Sequence, residues 1–248
     1  MDRQNCVMAE THSSVLPRIS IILATFNEEA TIERCVRRIL QVFPTGCEVL
    51  VVDGGSDRTG EIVTRLCAEF SSLKYIRNEN DRGKGHATKV GIAAARADIM
   101  VEIDSDLQFL PEEIPRLIEP IESGQADVVL GSRFTTGSQR LPGSTTWLRT
   151  FGNKTTSLYA SILYWHRMTD VLAGMMAWSR RVINTFEVRS DNYSYEVEIP
   201  VKAIRHKLRV IDVPVTTDAR QGGVSCVNVV VDGLSLLFDI TRFRLGLK

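Results

Sequence analysis

Ile19-Ser-Ile-Ile-Leu-Ala24 and Glu48-Val-Leu-Val-Val-Asp53 are two short apolar runs, and the residues between them decide the fold. Ile32, Cys35, Val36, Ile39, Leu40 and Phe43 recur at helical spacing and make one apolar face. Pro44 and Gly46 end that helix. The unit reads strand, helix, strand. Its strands are apolar throughout, the pattern of strands covered on both faces.

The same alternation continues along the chain. Ile62, Val63, Leu66 and Phe70 predict a second helix, Leu73–Arg77 a third strand and His86–Arg96 an Ala-rich helix. Asp98–Asp104 reads as a strand, Pro111–Ser123 as a helix and Asp127–Gly131 as a strand. Such alternation builds an α/β fold with a mostly parallel central sheet and helices on both faces. Ligands bind such sheets beyond the carboxyl ends of the strands. The polar clusters sit at those ends: Asn27-Glu28-Glu29, Asp53–Asp57, Asn80–Gly85, Asp104–Gln108 and Ser132-Arg133.

After Arg133 the pattern changes. Phe134–Thr146 is rich in Thr, Ser and Gly and reads as a long mobile loop. A helix is expected from about Trp147 to Trp165 and a Gly-containing strand within Val171–Trp178. Glu196–His206 reads as helical, Arg209–Val215 as extended and Val227–Leu245 as helical. Residues 1–16 are expected to form a loose tail, and residues 17–248 a single domain with halves 17–133 and 134–248.

Composition bounds the function. The 248 residues are 44% hydrophobic and 24% charged, which excludes a collagen, a disulfide mini-protein and a disordered chain. Thirty Lys and Arg balance thirty Asp and Glu, so no broad charge drives the chain onto nucleic acid. Cys6, Cys35, Cys47, Cys67 and Cys226 contain no CxxC pair, which fits a reduced, cytoplasmic protein with inert thiols. No run approaches the ~18 apolar residues that span a bilayer. Val227, Val230, Val231, Leu234, Leu237 and Phe238 form a helical stripe ahead of Arg242, Arg244 and Lys248. That stripe suits an interfacial helix or, more plainly, a helix packed on the domain.

Asp104-Ser-Asp106-Leu-Gln108 carries the strongest chemistry. In an extended segment residues two apart point the same way, so Asp104, Asp106 and Gln108 would aim three oxygens at one point. Hard oxygens suit Mg²⁺ or Mn²⁺. The competing reading is a capped turn. In Asp53-Gly-Gly-Ser-Asp57, Asp53 is placed to bond a base or ribose, and Asp57 to cap the next helix. Gly83-Lys-Gly85 fits neither the Walker nor the GxGxxG pattern and reads alone as a solvated loop. Arg133, Arg149 and Arg220 are candidates for anion contacts.

Together these segments resemble family-2 glycosyltransferases of GT-A fold, nearest the dolichyl- or polyprenyl-phosphate mannose synthase-like branch. The likeness runs from about Ile19 to Phe243. Ala24-Thr-Phe-Asn-Glu28 resembles the PxYNE turn, and Val51-Val-Asp-Gly-Gly-Ser-Asp-Arg-Thr59 resembles VVDDGSxDxT. Gly83-Lys-Gly85, Asp104-Ser-Asp106-Leu-Gln108 and Gly131-Ser-Arg133-Phe match GKG, DADLQ and GSRY. Asp170–Gly174, Tyr195-Glu-Val-Glu198, Val213-Pro-Val215 and Arg220-Gln-Gly-Gly-Val-Ser225 follow in family order. Ala24 replaces the family Pro, Gly54 the second Asp of DDGS, Leu110 a frequent His and Cys226 a Lys.

The resemblance implies a Rossmann-like nucleotide-sugar half (17–133) and an acceptor half (134–248). Ala24, Phe26, Glu28, Asp53, Gly55, Lys84, Gly85, Asp104 and Arg220 would line the donor. Asp104, Asp106 and Gln108 would hold Mg²⁺ or Mn²⁺. Arg133, Arg149, Asn153 and Ser225 would bind the acceptor. The implied reaction is inverting transfer of a hexose, mannose from GDP-mannose or glucose from UDP-glucose, onto a polyprenyl phosphate. Peripheral contact with the cytoplasmic face of a membrane would follow. Two alternatives stay open: a hydroxyl acceptor with Asp170 as general base, and a non-catalytic nucleotide-sugar binder.

Overall fold

The computed structural model describes residues 16–222 and 229–247. The first unit is β1 (Ile19–Thr25), α1 (Ile32–Val42) and β2 (Cys47–Asp53), with α1 burying Ile32, Cys35, Val36, Ile39 and Leu40. It is followed by α2 (Thr59–Glu69), β3 (Leu73–Arg77), α3 (Lys84–Ala94) and β4 (Ile99–Ile103). A 3-10 turn at Pro111–Glu113 leads into α4 (Ile114–Glu122) and β5 (Val128–Ser132). The remaining elements are β6 (Gln139–Arg140), α5 (Trp147–Tyr164), β7 (Met175–Ser179), α6 (Arg180–Thr185), α7 (Tyr195–Arg205), β8 (Val210–Pro214), β9 (Thr216–Thr217) and α8 (Val229–Leu245).

Seven strands form one sheet in the order β3-β2-β1-β4-β7-β5-β8. All neighbours are parallel except β7, which runs antiparallel between β4 and β5. The mostly parallel α/β sheet expected from the apolar runs is therefore present. Every residue of β2, β4 and β5 is buried, because helices cover both faces. Apolar residues of α1, α2 and α4 close one face. Those of α3, α6 and α7 close the other, around Trp178 and Tyr195. A third cluster joins α5, α7 and α8 through Ala160, Tyr164, Val197, Val201, Ile240 and Phe243.

The chain steps outward from β1 to β2 and β3, then returns across α3 to place β4 on the opposite side of β1. That reversal opens a crevice beyond the carboxyl ends of β1 and β4.

Two local expectations are corrected, and one short helix is new. Phe134–Thr146 is not a free loop: β6 pairs in parallel with β9, Leu141 N donates to Thr217 O at 2.9 Å, and Ser144 is buried. Two-residue strands leave no trace in hydrophobic periodicity. The helix α6 is likewise too short to show a repeat. The Asp104–Gln108 segment is a turn beyond β4, not extended backbone, and Leu107 sits at φ 61° in the left-handed region.

Candidate active site

The crevice holds a cavity of about 490 Å³. The end of β1 supplies Ala24, Phe26 and Glu28, and the turn after β4 supplies Asp104, Asp106 and Gln108. The far wall carries Arg133 together with Arg149 and Asn153 from the first turns of α5. Thr146 Oγ1 accepts from Arg149 N and starts that helix. Arg220 and Glu196 complete the polar lining. Ser225 lies outside the described residues.

Asp104 and Asp106 are brought together, though by a turn. Asp104 N donates to Gly174 O at 3.0 Å. Asp106 is buried, its Oδ1 accepts from Gln108 N at 2.9 Å, and its Oδ2 lies 3.4 Å from Arg220 Nε. Burial and then the neighbouring Asp104 push the Asp106 carboxyl up to about 6, against the pull of Gln108 N and Arg220. Gln108 lines the cavity too, and its amide Nε2 donates to Ser144 O, tying down the 134–146 segment. No cluster of three His, Cys, Asp or Glu side chains able to cage a metal occurs among the described residues. Two mutually repelling carboxylates at an open cavity fit Mg²⁺ or Mn²⁺, which take one or two carboxylates plus substrate phosphates.

Lys84 overturns the solvated-loop reading of Gly83-Lys-Gly85. It opens α3, and its side chain is largely buried. Its Nζ lies 2.6 Å from Asp104 Oδ1, 2.8 Å from Glu196 Oε1 and 3.3 Å from Glu102 Oε1. Burial favours the neutral amine, but Asp104, Glu102 and Glu196 outweigh it and raise the Lys84 pKa well above its ordinary value. Gly85 does not line the cavity. A Cβ there would meet Ser190 O at 2.5 Å and Asn192 O at 2.6 Å, so the glycine lets α3 pack on that loop.

Glu28 is buried and held from two sides. Arg220 Nη2 donates to its Oε1 at 3.1 Å and Thr31 Oγ1 to its Oε2 at 2.9 Å. Asp53 and Gly55 belong instead to a separate shallow cleft with Tyr75 and Arg77. Asp53 is 1% exposed, and its oxygens accept from Gly55 N, Thr25, Tyr75 and Arg77. The structure thus spends Asp53 on the β2 turn rather than presenting it to the cavity. Asp57 stands one residue before the N-cap Arg58 of α2, and its Oδ1 accepts from Thr59 N at 2.9 Å. The departure at Gly54 also has a physical reason. A Cβ there would stand 2.6 Å from Asp81 Cγ, and Asp81 lines the cavity.

Arg133 and Asp170 form a bidentate pair. Nε donates to Oδ2 at 2.7 Å and Nη2 to Oδ1 at 2.8 Å, and Arg133 N also donates to Oδ2 at 3.0 Å. Nη2 donates further to Leu172 O at 2.6 Å. Asp170 is 0% exposed and is not among the described residues that line the cavity. Both Asp170 oxygens accept from Arg133, so in this arrangement the carboxylate holds Arg133 in place rather than facing the cavity.

Two buried acids escaped the sequence reading. Glu102 is the one charged residue inside the apolar strand β4, a visible signal that received no role. Burial pushes its carboxyl well above the ordinary range; Lys84 pulls it down, and Asp104 and Glu196 add to the rise. Glu196 lies in Tyr195-Glu-Val-Glu198, a motif whose order alone assigns it no role.

Comparison with known proteins agrees with this architecture. The sequence model described as "Glycosyl transferase family 2" matches residues 20–186. The undecaprenyl-phosphate mannosyltransferase of Micrococcus luteus is 30% identical over 247 residues, covering 93% of this chain and 100% of that protein. The polyprenol monophosphomannose synthase of Mycolicibacterium smegmatis is 30% identical, covering 84% of this chain and 80% of that protein. Among solved structures, glucosyl-3-phosphoglycerate synthase from Mycobacterium tuberculosis, in complex with Mn²⁺, UDP and glucosyl-3-phosphoglycerate, superposes with a TM-score of 0.70. It is 24% identical and covers 94% of this chain and 81% of that one, a likeness of fold. The chain belongs to glycosyl transferase family 2, has the GT-A fold, and is a dolichyl-phosphate mannosyltransferase-like member of the family.

Proposed function

We propose that this chain transfers a hexose, with inversion, from a nucleotide-sugar to the phosphate of a polyprenyl phosphate. One observation carries the reading. Helix α5 turns Arg149, Gly152, Asn153 and Thr156 into the cavity and leaves Trp147, Phe151, Leu158 and Ile162 exposed on its outside. One helix thus offers a cationic, polar wall to a phosphate and an apolar face to a lipid. The names of the relatives from Micrococcus and Mycolicibacterium support the same acceptor class.

The donor diphosphate would lie at Asp104 and Asp106, with Arg220 beside them. Mg²⁺ or Mn²⁺ held there would neutralise charge developing on the leaving nucleoside diphosphate. Arg133 and Arg149 would orient the acceptor phosphate. Its oxygen forms the bond to the anomeric carbon as the bond from that carbon to the diphosphate oxygen breaks. A phosphate monoester with a second pKa of about 6 is largely dianionic at neutral pH. It needs no general base, which accords with the occupied state of Asp170. Mannose is the sugar that the relatives' names favour, so GDP-mannose is the donor to test first and UDP-glucose the alternative.

Acceptance of a lipid implies contact with a membrane surface. Trp147, Phe151, Leu158, Ile162 and Trp165 lie on one face of α5 and its C-cap, and Leu234 and Phe238 are exposed on the adjoining α8. No helix among the described residues is long and apolar enough to cross a membrane. We infer peripheral docking through this face.

The test is a product assay by mass spectrometry. Purified protein receives Mg²⁺ or Mn²⁺, a short polyprenyl phosphate, GDP-mannose and UDP-glucose, with Asp106→Asn alongside. The expected result is a glycosyl phosphoprenol that disappears in the variant. Absence of any lipid product, with nucleotide binding intact, would reject the acceptor class.

A further inference from the structure

Glu102 presents a physical problem. It is fully buried on β4, neither carboxylate oxygen accepts a well-formed hydrogen bond among the described residues, and its polar neighbours include Lys84 and the Tyr195 hydroxyl. A buried acid in that state is costly. Met100 and Glu102 share one side of β4, the side covered by α3 and α7. That direction aims Glu102 at Lys84, whose Nζ is 3.3 Å from Oε1 but bonded more closely to Asp104 and Glu196.

Lys84 neutralises a carboxylate that a divalent cation would use. A divalent cation held by Asp104 would compete with the ammonium 2.6 Å from Oδ1 for the charge of that carboxylate. The two charges repel, and the chain must supply the ammonium with another seat. Glu196 already holds Nζ at 2.8 Å and keeps the side chain anchored through such a move.

We infer that Lys84 is a built-in placeholder cation, neutralising Asp104 until a divalent ion arrives and then withdrawing toward the buried Glu102, which it already meets at 3.3 Å. The inference rests on the proposed divalent site at Asp104 and Asp106. It assigns Lys84 and Glu102 as positioning residues that set how tightly that site binds before any donor is present. Glu102 is, on this account, the seat that Lys84 moves onto.

The experiment is titration of the purified full chain with Mn²⁺ alone, free ion being read by electron paramagnetic resonance. The wild type, Lys84→Met, Glu102→Gln, their double variant and Asp106→Asn are compared, with circular dichroism to check folding. Lys84→Met is expected to bind Mn²⁺ about tenfold more tightly, because a competing positive charge is gone. Glu102→Gln is expected to weaken binding several-fold in the wild type and to have no effect in the Lys84→Met background. Equal or weaker binding by folded Lys84→Met overturns the inference. So does a Glu102→Gln effect of equal size in both backgrounds, which would reveal only the field of a nearby carboxylate. Lys84→Gln, which can still bond Glu196, carries the same expectation if Lys84→Met does not fold. If the wild type binds no Mn²⁺, or Asp106→Asn binds as the wild type does, the divalent site itself falls and takes this inference with it.

Discussion

Asp170 Oδ2 lies 2.7 Å from Arg133 Nε and 3.0 Å from Arg133 N, so one buried carboxylate fixes both the backbone and the guanidinium of a cavity-wall arginine. Arg133 is further sandwiched at 5.5 Å from the ring centres of Phe109 and Phe134. A residue held this way cannot swing to follow a ligand. It presents its charge at one place, which is what phosphate orientation requires.

Asp170→Asn separates positioning from base catalysis. Breaking a buried pair by removing one partner costs about 3–5 kcal/mol, so the melting temperature falls. With Arg133 released, KM for the polyprenyl phosphate is expected to rise at least about tenfold while kcat changes less. Steady-state kinetics over acceptor concentration provides the check. A general base would show the opposite split, with kcat collapsing and acceptor KM unchanged.

Glu48 ties the sheet together and makes stability depend on acid. It is 1% exposed and accepts from Ser20 Oγ at 2.7 Å, Arg96 N at 2.7 Å and Arg96 Nε at 2.9 Å, with Lys74 Nζ at 3.1 Å. Burial pushes its carboxyl up, but these bonds outweigh it and leave it below the usual value of 4.5. A carboxyl lowered on folding stabilises the protein above its unfolded pKa, and the contribution is lost as pH falls through the folded value. Glu48→Gln is expected to cost about 2 kcal/mol at pH 7, and the gap from wild type to shrink in acid below the unfolded pKa. Urea melts at a series of pH values measure both. A gap that stays constant into acid would refute the assignment.

The outer face of α5 predicts lipid binding. Trp147, Phe151, Leu158, Ile162 and Trp165 are 60–89% exposed. They extend over about 27 Å of helix at 1.5 Å per residue. Arg140 and Lys154 each lie 5.4 Å from the Phe134 ring centre beside this face and form no ion pair among the described residues. Flotation on vesicles containing anionic lipid is expected to recover the wild type. Ile162→Ser with Trp165→Ser should lower recovery at least about tenfold, from loss of about 1.5–3 kcal/mol per apolar side chain. Turnover on a short, water-soluble prenyl phosphate should persist. Undiminished flotation of the double variant would place the contact elsewhere.

Sequence order carried the sheet and much of the cavity, for reasons visible in particular residues. β2 reads Cys-Glu-Val-Leu-Val-Val-Asp and is buried along its whole length, so its apolar run has one structural meaning. Asp104, Asp106 and Glu28 meet in the crevice because strand ends converge at the switch between β1 and β4, and Arg220 reaches it from the segment after β9. What stayed hidden depends on pairing across distance. Lys84 and Glu196 are separated by 112 residues, and nothing in Gly83-Lys-Gly85 reveals a buried ammonium. Asp53 looked available because its partners, Tyr75 and Arg77, lie on the neighbouring strand. In α5 both faces carry large apolar residues, Tyr164 inward and Trp147 outward, so periodicity defined the helix but not its solvent side.

Gly174 and Asp104 supply the sharpest functional test. A Cβ built on Gly174 would stand 2.2 Å from Asp104 Oδ2, 3.0 Å from Asp104 Cγ and 3.0 Å from Phe109 Cε2. The first clash falls on the end of a side chain at the cavity edge, so the carboxylate can rotate away while the backbone bond from Asp104 N to Gly174 O survives. Gly174→Ala is therefore expected to fold with a melting temperature within a few degrees of wild type, yet to hold Asp104 off its place. Misplacement of a reacting group by about 1 Å can cost about a hundredfold in rate, and turnover should fall by that order. Mn²⁺ affinity should fall with it. Kinetics, Mn²⁺ titration and thermal melting on one preparation distinguish the outcomes. Wild-type turnover would mean that Asp104 need not stand where it does. Lost folding would mean that Phe109, not Asp104, takes the clash. The segment from Asp170 to Gly174 then has a physical reason at both ends: one residue locks Arg133, and the other leaves room for Asp104.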